Sequence, residues 1–115
     1  MKNLVLDEKT SGPVTLVYLN GRLDAIESPG LEEHLLELVK QGKKQLVLDL
    51  GQVSFIASTG LRMLLILSKR AKQLSGDVVL ANLSETIRKT FLISGVLPNI
   101  RICETVDQAF KLMGV

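Results

Sequence analysis

The sequence predicts a single α/β domain: a mixed β-sheet of about five strands with about four helices, an opening β-hairpin and then alternating helices and strands. Three observations predict it. Short runs rich in Val, Leu and Ile alternate with stretches whose apolar residues recur at helical spacing. Two β-rich runs near the start are separated only by Ser11-Gly12-Pro13, a turn signal. The length, 115 residues, fits one domain spanning residues 1–115 and leaves none for a second.

Leu4-Val5-Leu6 and residues 14–19 read as the two strands of the hairpin, with Asn20-Gly21-Arg22-Leu23-Asp24 as a turn back toward the body. Ser28 and Pro29 read as N-cap and first residue of a helix. Leu31, Leu35, Leu38 and Val39 form its apolar stripe, Glu32, Glu33, Glu37 and Lys40 face outward, and Gly42 closes it. The apolar run at residues 46–50 reads as a buried strand that ends in a corner. A helix follows over residues 58–74, its core side carried by Met63, Leu64, Leu67, Ala71 and Leu74. Gly76-Asp77 turns into a buried-type strand at residues 78–81. Ser84 caps a helix carrying Ile87, Phe91 and Leu92, which Ser94-Gly95 ends. Pro98-Asn99 leads into a short strand at residues 100–102. Thr105 with Gln108 three residues on reads as a capping box, and Val106, Ala109, Phe110 and Met113 form the last stripe.

Composition excludes several functions. Hydrophobic residues are 46% and charged residues 23%, the balance of a globular domain that needs neither disulfide nor metal to fold. Tyr18, Phe55, Phe91 and Phe110 are the whole aromatic complement, too few for a stacking platform on single-stranded nucleic acid. A net charge of +2 does not suggest direct nucleic-acid binding. The lone Cys103 cannot form an internal disulfide, and the N-terminus lacks the apolar stretch of a signal peptide. The longest purely apolar run, residues 63–67, is far short of the ~20 residues that span a bilayer. A cytoplasmic location without membrane insertion is expected.

The richest stretch is the corner between the central strand and its helix, Ala57-Ser58-Thr59-Gly60-Leu61-Arg62. A serine there can cap the helix. It also lies where outward-pointing N–H groups favour negative charge, so its hydroxyl is equally well placed to carry a phosphate. Ser58, Arg62, Leu65 and Lys69 share one stripe by their spacing of three and four, while Leu61, Leu65 and Ile66 fall off the core side. An apolar and basic stripe beside a hydroxyl suggests a protein partner with an acidic rim.

The element order, with Asp49-Leu50 before the corner and Ser58-Thr59-Gly60-Leu61 in it, resembles the STAS domain of bacterial anti-sigma factor antagonists. Gly21-Arg22-Leu23-Asp24 is similar to that family's Gly-x-Leu-Asp turn, and Ser94-Gly95 to a late Ser-Gly. The resemblance spans essentially the whole chain, and the corner is its specific part. It implies a non-enzymatic partner-switching regulator without cofactor, a monomer or weak dimer. Its implied partners are an anti-sigma factor that is also a serine protein kinase, and a protein phosphatase that resets the switch. The implied phosphorylation site is Ser58, with Thr59 the lesser candidate. The resemblance together with the outward stripe of the helix gives the expected partner-binding residues: Asp24, Ser58, Thr59, Gly60, Leu61, Arg62, Leu65, Ile66 and Lys69. Ala57 stands where the family pattern has an acidic residue.

Rival readings have weaker support. A hydrolase triad of Ser58, His34 and Asp24 lacks the Gly-x-Ser-x-Gly elbow, because position 56 is Ile. No phosphate-binding Gly-x-x-x-x-Gly-Lys loop and no His/Cys metal cluster is present in the sequence. A phospho-aspartate receiver using Asp49 needs further acidic groups for Mg²⁺; Asp7 and Glu8 are the only early candidates, and the opening hairpin is wrong for that fold. A STAS scaffold subunit of a transporter or signalling complex, never phosphorylated, is the remaining alternative.

Overall fold

The computed structural model describes residues 4–95 and 99–114. The chain opens as β1 (Val5–Ser11) and β2 (Val14–Leu23), then continues through α1 (Ser28–Lys40), β3 (Gln45–Ile56), α2 (Ser58–Gln73), β4 (Asp77–Ala81), α3 (Glu85–Ser94), β5 (Arg101–Cys103) and α4 (Val106–Leu112). The strands form one five-stranded sheet in sequential order. β1 pairs antiparallel with β2, as the Gly12-Pro13 turn requires, and the other pairs are parallel, joined by helical crossovers. The mixed sheet and four helices are those expected.

The helices cover the sheet unequally. Leu31, Leu35 and Leu38 of α1, Leu64 and Leu67 of α2, and Ile87 and Phe91 of α3 pack with Leu19, Leu48 and Leu80 in the larger core. On the opposite face, α4 packs Ala109 against Leu16, Val47 and Val79 in a smaller one. Residues 46–50 of β3 are therefore buried on both faces, which accounts for their nearly unbroken apolar run. Each fully buried Leu or Phe contributes ~1.5–3 kcal/mol relative to exposure, so the larger cluster holds the fold together.

Two strands run further than the sequence pattern suggests. Residues 20–23 do not form a turn: they continue β2 alongside residues 52–56 of β3, with Gly21 opposite Val53, Arg22 opposite Phe55 and Leu23 opposite Ile56. Register shifts between Tyr18 and Asn20 and between Gly21 and Arg22 make this possible. Gly21 has φ +91°, open to glycine at little steric cost, so it bends the strand without ending it. Asp49 accordingly lies inside β3 and not at its end. It is 9% exposed, and its Oδ1 accepts from the Gly51 amide at 2.8 Å and from Asn82 Nδ2 at 3.2 Å. These bonds tie the middle of β3 to the loop after β4.

Helix ends also differ in detail. Ser28 is the first residue of α1 and not its cap; its hydroxyl is buried without a hydrogen-bond partner. Asp24 organises that end instead. Its Oδ1 accepts from the Ile26 and Glu27 amides at 3.1 and 2.9 Å, and its carbonyl accepts from the Ser28 amide at 2.9 Å. Ser84 caps α3 as expected, accepting from the Ile87 amide, and Gly95 ends it in the left-handed conformation. Thr105 caps α4 by accepting from the Gln108 amide at 3.1 Å, while Gln108 Oε1 reaches the Glu104 amide and not that of Thr105. The expected Pro98 turn residue lies outside the described residues. Leu74 and Leu92, expected in the core, are 45% and 58% exposed, because each sits beyond the stripe its helix turns inward.

Candidate functional site at the start of α2

Parallel pairing of β2, β3, β4 and β5 brings their C-terminal ends to one edge of the sheet. Ligand and partner sites of open α/β sheets favour such edges. Here the edge carries the Asp24 turn, the corner at Ala57 and the start of α2.

The corner is fixed by a backbone hydrogen bond and a close approach. The Ala57 amide donates to the Leu23 carbonyl at 2.9 Å, continuing the β2–β3 pairing by one rung. That bond holds Ala57 extended, at φ −87° and ψ 171°, so Ala57 becomes the N-cap and Ser58 the first helical residue. The expectation that Ser58 itself caps the helix is thus corrected. One turn in, Gly60 lies against the same strand end: a Cβ there would meet the Leu23 carbonyl oxygen at 2.6 Å. Glycine lets α2 descend onto the sheet. With no side-chain acceptor at the cap, the amides of the first turn point outward without a protein side chain to satisfy them.

Around this end the exposed groups are mixed in character. Ser58 and Thr59 are exposed, as are Arg62 and Lys69 further along α2; Leu65 is half-buried and Ile66 is 43% exposed. Leu61 does not join them. At 8% exposure it packs in the larger core, because the descent at Gly60 turns the inner face of α2 to include it. Its expected place on the outward stripe is therefore corrected, and both Gly60 and Leu61 act through the position of the helix. Asp24 lies beside this edge, half-buried, with Oδ2 3.7 Å from Arg22 Nε and Oδ1 engaged in its own turn.

Three residues outside the sequence-derived set complete the surface. The Arg22 guanidinium lies over the Phe55 ring at 4.3 Å from its centroid, a cation–π contact on the open face of the paired strand ends. Phe55 is 38% exposed, and Ile26, at the tip of the Asp24 turn, is 85% exposed. Their sequence signal was hidden because it requires β2 and β3 to pair beyond Gly21. His34, the imagined catalytic base, pairs through Nε2 with Glu8 Oε2 and so ties α1 to β1. Among the described residues no group of His, Cys, Asp and Glu could hold a metal ion, and no helix is long and apolar enough to cross a membrane.

Comparison with known proteins places these features in a family. The sequence profile of the STAS domain matches residues 6–109. A Bordetella bronchiseptica protein described as a candidate anti-sigma factor antagonist is 36% identical over 99 residues, covering 84% of this chain and 85% of that one. The anti-sigma-B factor antagonist of Bacillus subtilis is 34% identical over 94 residues, covering 82% and 85%. Among solved structures, a candidate anti-sigma factor antagonist from Thermotoga maritima matches with a TM-score of 0.87 at 17% identity, covering 92% of each chain. The phosphorylated form of the Bacillus cell fate determinant SpoIIAA matches at 0.69 and 22%, covering 93% of this chain and 97% of that one.

Proposed function

This chain belongs to the STAS domain family, and from that membership we propose that it is an anti-sigma factor antagonist whose partner binding is switched off by phosphorylation of Ser58. In the unmodified state it binds an anti-sigma factor with serine kinase activity through the Asp24 turn and the start of α2. Phosphate transfer to Ser58 releases the partner, and a protein phosphatase restores the hydroxyl. The chain itself performs no chemistry.

The observation that carries this reading is the exposed Ser58 hydroxyl on the first residue of a helix whose cap has no side-chain acceptor. Phosphorylation adds about −1.5 to −2 charges. At a helix N-terminus an anion gains ~0.3–1 kcal/mol, and the open first-turn amides are donors for it. The domain therefore stays folded in both states, and the penalty falls on the complex. A hundredfold loss of affinity requires only ~2.7 kcal/mol, which a desolvated phosphate at the interface, or repulsion from an acidic partner rim, readily supplies. Exposed Arg22, Arg62 and Lys69 are the charges that such a rim would meet.

Phosphosite mapping tests the reading. Trypsin releases residues 45–62 as one peptide, which contains Ser54, Ser58 and Thr59. Ser54 Oγ donates to the Gly21 carbonyl at 3.3 Å and belongs to the strand edge. Protein purified from its own cells is expected to carry phosphate on Ser58. A peptide that stays unmodified through growth and stress would sink the switch and leave the unphosphorylated scaffold reading.

A further inference from the structure

At the opposite end of α2 the surface changes character. Lys72 follows Ser58 by fourteen residues, roughly 21 Å along the helix axis. There α2, α3, β5 and the end of α4 border an open surface cleft of 580 Å³, lined by Lys72, Arg88, Leu92, Arg101, Ile102 and Leu112. Three cations thus converge on a concavity with one apolar wall. Its size falls in the range of small-molecule sites, ~300–1,000 Å³. Among the described residues neither Lys72 nor Arg88 has a carboxylate partner, and no carboxylate lines the cleft. Arg101 alone is partly compensated, by Asp77 at 3.6 Å.

A second, independent observation comes from the adjoining depression, which shares Lys72 and adds Ser68 and Lys69. Ser68 is 2% exposed, and its Oγ has no hydrogen-bond partner. A buried hydroxyl in a helix ordinarily bonds back to a carbonyl one turn earlier, and buried polar groups are rarely left alone. Ser68 lines this neighbouring depression and not the cleft itself, so it reports on the cleft's occupant through Lys72, which the two share.

We propose that this cleft is a second ligand site, for an organic phosphate: a small molecule joining a phosphate to an apolar body. The phosphate is held by Lys72, Arg88 and Arg101. The guanidinium of Arg88 presents a fork that matches phosphate oxygens, and Lys72 contributes a mobile point charge. The apolar body lies along Leu92, Ile102 and Leu112. The lining of the cleft includes none of Ser58, Arg62, Leu65, Ile66 and Lys69, so its occupant leaves the partner-binding face open and the two can be bound together.

The probe is 1-naphthyl phosphate, titrated into the full chain and followed by amide chemical shifts, with pyrophosphate in parallel. Saturable shifts are expected at Ser68, Arg88 and Ile102, weakening as salt rises from about 50 to 200 mM. Lys72→Glu and Arg88→Gln should each lower the affinity at least tenfold while leaving the remaining spectrum folded, since Lys72 is exposed and Arg88 half-buried. Naphthyl phosphate should bind about tenfold more tightly than pyrophosphate through the apolar wall. Absence of saturable shifts, or shifts indifferent to both substitutions, would overturn the site. Equal binding of the two probes would overturn its preference for an organic ligand.

Discussion

Ala57 decides how Ser58, the proposed phosphorylation site, is presented. An acidic side chain at this cap would accept from the amide of Thr59 or Gly60, whereas alanine leaves both to solvent or to a phosphate on Ser58. Restoring the carboxylate tests this directly. Ala57→Asp should stabilise the unmodified domain by ~1 kcal/mol, raising Tm by about 4 °C. It should stabilise the Ser58-phosphorylated form by clearly less, because the two anions compete for the same amides; equal gains in both forms would refute the open-cap account. Gly60 makes a second prediction, in which two effects oppose. Glycine to alanine inside a helix normally gains ~1 kcal/mol. At this position the new Cβ meets the Leu23 carbonyl at 2.6 Å, an overpacking that costs ~1–3 kcal/mol. Gly60→Ala should therefore lower the urea midpoint with an unchanged slope, and a higher midpoint would mean the helix can lift off at no cost. The hydroxyl and the glycine were legible in the sequence as a corner, but the cap was not. Which residue caps α2 depends on the hydrogen bond from Ala57 to Leu23, a contact between residues far apart in the chain.

At the scale of elements, helices were the more legible because each carries its own period. The inner stripe of α1, Ile87 and Phe91 of α3, and the caps Ser84 and Thr105 follow from local sequence. The strands were legible only where they are apolar. β2 and β3 each continue through glycines and polar residues that read as turns, and only their mutual pairing holds residues 20–23 and 52–56 extended. Arg22 and Phe55 meet because of that pairing, so the sequence concealed part of the candidate surface. The helix α2 was misjudged at Leu74, which lies past its last turn, and at Leu61, since a stripe wide enough to include it is set by how closely Gly60 lets the helix approach. The exposed face that remains gives the element-scale prediction. Arg62→Glu and Ile66→Glu should each weaken binding to the anti-sigma factor at least tenfold, with circular dichroism and Tm within about 2 °C of the parent. Unchanged affinity in both would remove this face of α2 from the interface.

For the molecule as a whole, the two sides of the sheet differ in how firmly they are held. Three helices share the larger core, whereas α4 buries Ala109 alone among its residues, against Leu16, Val47 and Val79 in the smaller one. Amide hydrogens of α4 are expected to exchange through local opening well before those of α2, which would be reversed only if the smaller core were the more stable. The switch corner stands on the firm side, anchored to β2 and β3, so a charge change there alters the surface and leaves the scaffold intact. Surface and scaffold are separate in this way, and the proposed switch depends on that separation. Its most direct test is calorimetric titration of the cognate anti-sigma factor against the chain with Ser58 unmodified and stoichiometrically phosphorylated, alongside the Tm of each form. Affinity is expected to fall at least a hundredfold on phosphorylation while Tm holds or rises slightly. Equal affinity of the two forms, or loss of binding that merely follows unfolding, would contradict the proposed switch.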